Sequence, residues 1–227
     1  MSRELIKPLL DKYQVYGINF KKKQINVFQN NEYTLSYSGS QQYGQGFTDS
    51  DFYINNTVLT FSFPFLYSSK TQYTLIYKYK LVSYNNGALI PNRSGFGSQI
   101  NLIESGTFGV WNKIGGGRWF RDGGPFGHTI GSQHEMAVEC TPNRMKIWMD
   151  GVLKKTYNDS WSLDPWLGFG DTNNVLRMYI NDILVTDALF LPNNYTVDWN
   201  DTWYEIHHKQ VYNHANESLW IPKIKEE

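Results

Sequence analysis

The dipeptide Asp150-Gly151 constrains this chain more than any other feature. It stands between Lys146-Ile147-Trp148-Met149 and Val152-Leu153-Lys154-Lys155. An Asp-Gly joint between two strand-like runs favours a two-residue hairpin, because both central residues must adopt positive φ. The same grammar recurs along the chain. Short runs with period-two patterning occupy Tyr33–Tyr37, Thr57–Phe63, Tyr73–Val82, Gln99–Ile103, Glu135–Glu139, Arg144–Met149, Val175–Val185 and Tyr204–Tyr212. Clusters of Gly, Asn, Asp, Pro and Ser separate them. Many short strands with turn-rich joints predict an all-β protein: a β-sandwich jelly roll of two stacked antiparallel sheets with one concave face.

Residues 1–13 carry faint helical spacing interrupted by Pro8, which predicts a loose N-terminal tail. No linker or internal repeat divides the rest of the chain. The reading is one domain over residues 14–220 and a C-terminal tail over 221–227, a length that suits a single sandwich. Aromatic residues make up 16% of the chain, led by Tyr and Trp. They suit half-buried pleated surfaces, and their faces also suit sugar rings.

Charge and cysteine content exclude several functions. Lysine plus arginine and aspartate plus glutamate number 21 each, for a net charge of zero. No basic field exists to attract nucleic acid. The run Lys21-Lys22-Lys23 is expected to be a solvated strand edge. Cys140 is the single cysteine, which rules out an internal disulfide. No apolar run reaches membrane length and no export signal is seen. An extracellular or virion-associated location fits, and oligomeric state cannot be read. No cofactor signature occurs. Asp49-Ser50-Asp51 lacks the further oxygen ligands a calcium site needs, so no metal ligands are assigned. The Gly-rich stretch Gly115–His128 lacks the strand-to-helix setting of a phosphate cradle. It is expected to be a flexible surface loop.

The segment Gly97–Gly106 carries the candidate chemistry. On a strand, Gln99 and Asn101 share one face while Ile100 and Leu102 share the other. The apolar pair would enter the core and the amides would face the concave surface. Glu104 has the wrong parity for that face, and a β-bulge near residues 102–103 would restore it.

The spacing Gln99-x-Asn101-x-x-Glu104 resembles the Glu-x-Asp-x-x-Glu signature of family-16 glycoside hydrolases, the laminarinase and lichenase family. The stretch from His134 to Leu153 resembles that family's His-x-Tyr-x-x-Glu-Trp-Thr-Pro and Asp-Gly hairpin, with Cys140 in place of Trp. Tyr77–Leu81 resembles the strand before the catalytic one. Tyr204–Tyr212 resembles the closing strand, with His207 in an Asp position. The resemblance spans roughly residues 70–213. It implies the concanavalin A-like lectin/glucanase fold and a cleft for a polysaccharide or oligosaccharide. It also implies that positions 99, 101 and 104 are those of nucleophile, helper and acid/base.

Two of those positions hold amides. A neutral Gln99 cannot form a glycosyl-enzyme ester, so the retaining mechanism is not expected to run. The preferred expectation is carbohydrate binding by a catalytically impaired relative, with Gln99, Asn101 and Glu104 at the centre. Trp111, Trp119, Trp161 and Trp166 lie in or beside predicted loops and serve either as sugar platforms or as loop anchors. Arg118 and Arg121 could meet anionic sugars. His134 matches a family position at the mouth of the groove, and a hydrogen-bonded structural role suits it too. One rival is an endo-acting hydrolase whose nucleophile was changed to Gln99 by engineering, or that uses a shifted nucleophile. Another is a phage virion or surface protein that uses the sandwich as a building block.

Overall fold

The computed structural model describes residues 3–30, 36–39, 42–44, 46, 51–55, 59–62, 72–83, 88–90, 99–103, 107–112, 118–125, 130–159, 166–169 and 177–200. The predicted closing strand 204–212 therefore lies outside the described residues. One helix, α1 (Arg3–Lys12), precedes the strands. These are β1 (Val15–Lys21), β2 (Gln24–Gln29), β3 (Ser36–Gly39), β4 (Tyr43–Gly44), β5 (Asp51–Asn55), β6 (Leu59–Ser62), β7 (Tyr73–Ser83) and β8 (Ala88–Ile90). They continue as β9 (Gln99–Ile103), β10 (Thr107–Asn112), β11 (Arg118–Pro125), β12 (Gln133–Thr141), β13 (Arg144–Met149), β14 (Val152–Tyr157), β15 (Trp166–Phe169) and β16 (Arg177–Thr186). Every pairing is antiparallel, as the predicted fold class requires.

The largest sheet runs β14-β13-β12-β7-β16-β1-β2, with β5 and β4 joined at the far end of β16. A register break between Ile180 and Ile183 divides the β16 edge. Residues before it pair with β5 and those after it pair with β1. The Asp150-Gly151 turn forms as predicted, with φ of 51° and 75°. It seats Met149 opposite Val152. The β1–β2 turn is made by Lys22 and Lys23, each with φ 55°. The lysines expected on a strand edge thus form the tip of a hairpin. Positive φ is unusual for lysine, and nothing in their residue type announced it.

Alternation along the central strands gives the large sheet two apolar faces. Leu75, Tyr77, Tyr79 and Leu81 join Met136, Val138, Ile180 and Ile183 in one cluster. Leu59 and Phe61 of β6 and Phe169 of β15 close that cluster from the three-stranded sheet β15-β6-β3. The Tyr77 and Phe169 rings meet edge-on at 5.3 Å between centroids. This is the sandwich interface. The buried Tyr77 and Tyr79 hydroxyls reach the sulfur atoms of Met136 and Met149 at 3.2 and 3.6 Å, and burial holds both phenols well above their ordinary pKa.

The opposite face is covered by α1 and the strap 187–199, which corrects the expectation of a loose N-terminal tail. Ile6, Leu9 and Leu10 are buried against Val15, Ile76, Trp148 and Leu184. Pro8 lies on the exposed side. A proline inside a helix costs about 3 kcal/mol, whereas three buried aliphatic side chains contribute roughly 5–9 kcal/mol. Burial therefore outweighs the breaker. The Asn30 amide finishes the helix by donating to the Leu10 and Tyr13 carbonyls at 2.6 and 2.8 Å.

Candidate functional site

Strands β8 to β11 form a separate four-stranded sheet in the order β11-β10-β9-β8. Within it, Trp111 stands directly opposite Gln99 on one side and Trp119 on the other. Two residues along, Gly109 stands opposite both Asn101 and Arg121. Rows two residues apart share a face, so these two rows belong to one face of the sheet. The intervening row, Ile100–Val110–Phe120, is wholly apolar. Leu102 opposite Phe108 continues it. Gln99 and Asn101 mark the polar face of this sheet, which Ile103 and Thr107 continue, while Asn112 opposite Arg118 lies on the Ile100 side.

Three expectations need correction. Trp111 and Trp119 belong to strands β10 and β11 rather than to loops. The stretch expected to be a flexible Gly-rich loop contains β11, which pairs with β10 from Arg118 to Arg121 and again at Pro125. The β-bulge foreseen near residues 102–103 is absent from the β9–β10 pairing, which runs unbroken from Gln99 to Ile103. Register breaks lie instead between Ala88 and Ile90 of β8 and between Thr107 and Gly109 in the β10–β11 pairing. Glycines at 109, 115–117, 123 and 124 hid this hairpin, because glycine weakens the strand signal.

The other predicted site residues are dispersed. Glu104 and Trp161 lie outside the described residues. Trp166 opens β15, opposite Ser62, and β15 approaches β8. Arg118 pairs with Asn112 and so has the parity of Phe120, away from the Gln99 row. His134 sits on β12 in the large sheet, buried beside Tyr79. Its Nδ1 lies 2.9 Å from Asp150 Oδ2, while Asp150 Oδ1 accepts the Glu135 N–H at 2.9 Å. These contacts tie the hairpin turn to β12.

A second polar row, passed over in the sequence, crosses the large sheet. Glu135 stands opposite Lys78, and Lys78 Nζ is 3.3 Å from Asp182 Oδ2. Asp182 is opposite Asn19, and Asn19 is opposite Asn26, whose amide donates to it at 3.0 Å. The Trp199 indole donates to Glu135 Oε2 at 2.9 Å. Burial raises the Glu135 pKa, opposed by Trp199, Tyr195 and Lys78. The Tyr195 hydroxyl is enclosed beside this carboxylate without a well-directed hydrogen bond. The members of this row are matched to one another within the protein. The four-stranded sheet carries Gln99, Asn101, Trp111 and Trp119, the residues that the sequence singles out. Among the described residues, no group of three or more His, Cys, Asp or Glu side chains is placed to hold a metal ion, and no helix is long and apolar enough to cross a membrane.

No family model matches the chain, and no curated protein matches it. Solved structures do. The binding domain of Paraclostridial Mosquitocidal Protein 1 superposes with a TM-score of 0.60 at 10% identity, over 90% of this chain and 53% of that one. The botulinum neurotoxin serotype C1 binding domain gives 0.59 at 12% identity, over 88% and 53%. The chain thus spans about half the length of the toxin binding domains it matches. Domain 4 of AbnA, a GH43 extracellular arabinanase from Geobacillus stearothermophilus solved in complex with arabinotriose, gives 0.52 at 11% identity, over 87% and 98%. These likenesses establish a lectin-like β-sandwich fold. They do not single out the family-16 hydrolases, and a shared fold does not carry a function with it.

Proposed function

We propose that this chain is an extracellular carbohydrate-binding domain that holds a polysaccharide or oligosaccharide on the polar face of the β8–β11 sheet, without hydrolysing it. The observation that carries the reading is the placement of Trp111 between Gln99 and Trp119, with Asn101 in the next row of the same face. Indole rings offer large apolar surfaces that pack on the C–H faces of sugars. Side-chain amides both donate to and accept from sugar hydroxyls. Support comes from the arabinanase domain, whose likeness covers nearly its whole length and which was solved with arabinotriose.

On this reading the chain is a catalytically impaired relative of the family-16 glycoside hydrolases. Hydrolysis with retention requires a carboxylate nucleophile about 5 Å from an acid/base carboxyl. Gln99 is a neutral amide and forms no glycosyl-enzyme bond. Glu104 remains a hydrogen-bonding partner for sugar hydroxyls.

The test is calorimetric titration of the whole chain with arabino-, laminari- and galacto-oligosaccharides, alongside a reducing-end assay. Saturable binding that weakens at least about tenfold, or 1.4 kcal/mol, in Trp111→Ala and Gln99→Ala supports the reading. New reducing ends formed at enzyme-like rates would overturn the non-catalytic assignment. Failure to bind any sugar in the panel would overturn the reading itself and favour a structural building block.

A further inference from the structure

We infer that the outer face of the large sheet carries a second binding site, along the row Gln133–Lys80–Tyr179–Tyr53, and that this site takes a saccharide bearing a carboxylate. It is separate from the β8–β11 face and does not rest on the reading given to that face.

Four strands bring the row together. Lys80 of β7 stands opposite Gln133 of β12 on one side and Tyr179 of β16 on the other. Tyr179 in turn stands opposite Tyr53 of β5. Gln42 extends the row, its carbonyl accepting the Tyr53 N–H at 2.7 Å. The neighbours Tyr79, Leu81, Phe52, Ile54, Met178 and Ile180 belong to the buried cluster beneath, so the side chains of the row point outward. Gln133 and Gln42 are exposed, and Lys80, Tyr179 and Tyr53 are half-buried. At about 4.8 Å between strands, the row is roughly 19 Å long, a length that suits an oligosaccharide.

The two tyrosines form a built surface. Their rings stack with centroids 4.6 Å apart and planes 24° apart. Backbone at Gly44 and Gly46 lies against Tyr179. A Cβ at Gly44 would come within 2.9 Å of Tyr179 Cε1, and one at Gly46 within 2.6 Å of Tyr179 Cβ and Cγ. Glycine at both positions therefore lets the ring keep its place. Aromatic rings pack on the C–H faces of sugars, and the flanking glutamine amides can both donate to and accept from sugar hydroxyls.

Charge decides the class of saccharide. In the adjacent row Asp182 is paired with Lys78 at 3.3 Å, and Glu135 accepts the Trp199 indole N–H. Asp51, near Tyr179, is fully buried. The Lys80 ammonium, by contrast, has no partner among the described residues, and neither do the Tyr53 and Tyr179 hydroxyls. One row further along the same face, exposed Arg177 gives its Nε–H to Asn55 Oδ1 at 3.1 Å, which leaves the terminal N–H groups of its guanidinium for a ligand. Two cations and two hydroxyl donors thus surround the stacked rings. A carboxylate on a sugar lying over the rings would accept charge-assisted hydrogen bonds from Lys80 and a tyrosine hydroxyl.

The experiment titrates the whole chain with oligogalacturonate and with its carboxyl-reduced form, at roughly 20 mM and roughly 500 mM salt, where screening lengths differ severalfold. The expected result is at least about tenfold tighter binding of the acidic form at low salt, with the advantage shrinking at high salt. Lys80→Gln should erase that advantage. Tyr53→Ala should weaken oligogalacturonate binding at least about tenfold, and Tyr179→Phe, which keeps the stack and removes one hydroxyl, should weaken it less. Trp111→Ala should leave it unchanged. Circular dichroism spectra matching wild type establish that each variant is folded. Equal affinity for the two forms, no binding of oligogalacturonate, or an advantage that survives in Lys80→Gln would overturn the inference. So would a loss in Trp111→Ala with none in Tyr53→Ala. In each of these cases the reading of the β8–β11 face still stands or falls on its own titration with neutral oligosaccharides.

Discussion

Replacing Glu139 should release the strap 187–199 from the sheet. Glu139 is 5% exposed on β12. Its Oε1 accepts the backbone N–H groups of Phe190 and Leu191 at 2.7 and 2.8 Å. The strap has no strand partner in this stretch, so the carboxylate stands where a ladder carbonyl would otherwise be. Glu139→Ala leaves two enclosed N–H groups without an acceptor, at about 1–3 kcal/mol each. The expected loss is roughly 2–6 kcal/mol. For a domain of this size each kcal/mol lowers Tm by about 2–4 °C, giving a drop of roughly 5–20 °C. Glu139→Gln keeps a carbonyl oxygen able to accept both bonds, but a neutral acceptor is about half as strong as a charged one. Its loss should be about 1–2 kcal/mol. Urea unfolding monitored by tryptophan fluorescence supplies both values, since Trp148 donates to the Pro192 carbonyl within the same strap. A Glu139→Ala loss under about 1 kcal/mol, or a Gln variant as unstable as the Ala variant, would refute the assignment of Glu139 as the strap's anchor.

Other outcomes follow from the same structure. Burial pushes the Cys140 thiol far above its ordinary value, so a thiol reagent should label it only after unfolding; rapid labelling of the native chain would contradict its place in the core. Burial raises the Glu135 pKa, so protonated Glu135 favours the fold. That contribution is complete below the ordinary carboxylate pKa and is lost as pH rises through the raised value. As pH rises from about 4 through the raised value, wild type should therefore lose stability relative to Glu135→Gln, and a constant Tm difference would count against it. Gly151 has φ 75° and packs against the Tyr195 carbonyl. Gly151→Ala should cost more than about 1 kcal/mol, measured as a fall in the unfolding midpoint.

Particular residues show how far the sequence could be read. Tyr73–Ser83 and Arg177–Thr186 announce themselves by alternation, since each lies mid-sheet with distinct faces. Asp150-Gly151 fixes its hairpin through backbone conformation alone. By contrast, α1 was obscured by Pro8, whose penalty is overcome only by a sheet face that the local sequence does not display. The β1–β2 hairpin turns on two lysines, residues whose side chains give no turn signal. In the candidate site, the parity of Gln99 and Asn101 was legible from β9 alone. The flanking strands were not, because glycine at 109, 123 and 124 breaks their alternation. Register then separates Arg121 from Arg118 and brings Trp111 and Trp119 into one row. Glu139 was visible as part of the hairpin resemblance, but its task of anchoring residues 51 and 52 positions away is set by tertiary pairing.

The central claim is that a glycan lies on the polar face of the β8–β11 sheet. Backbone amide chemical shifts of the isotope-labelled chain, followed during titration with a binding oligosaccharide, test it directly. The account predicts progressive, saturable shifts concentrated at residues 99–101, 109–111 and 119–121, with the hairpin around Asp150 unmoved. Shifts centred instead on the Glu135–Lys78–Asp182 row, or no shifts with any saccharide, would contradict it.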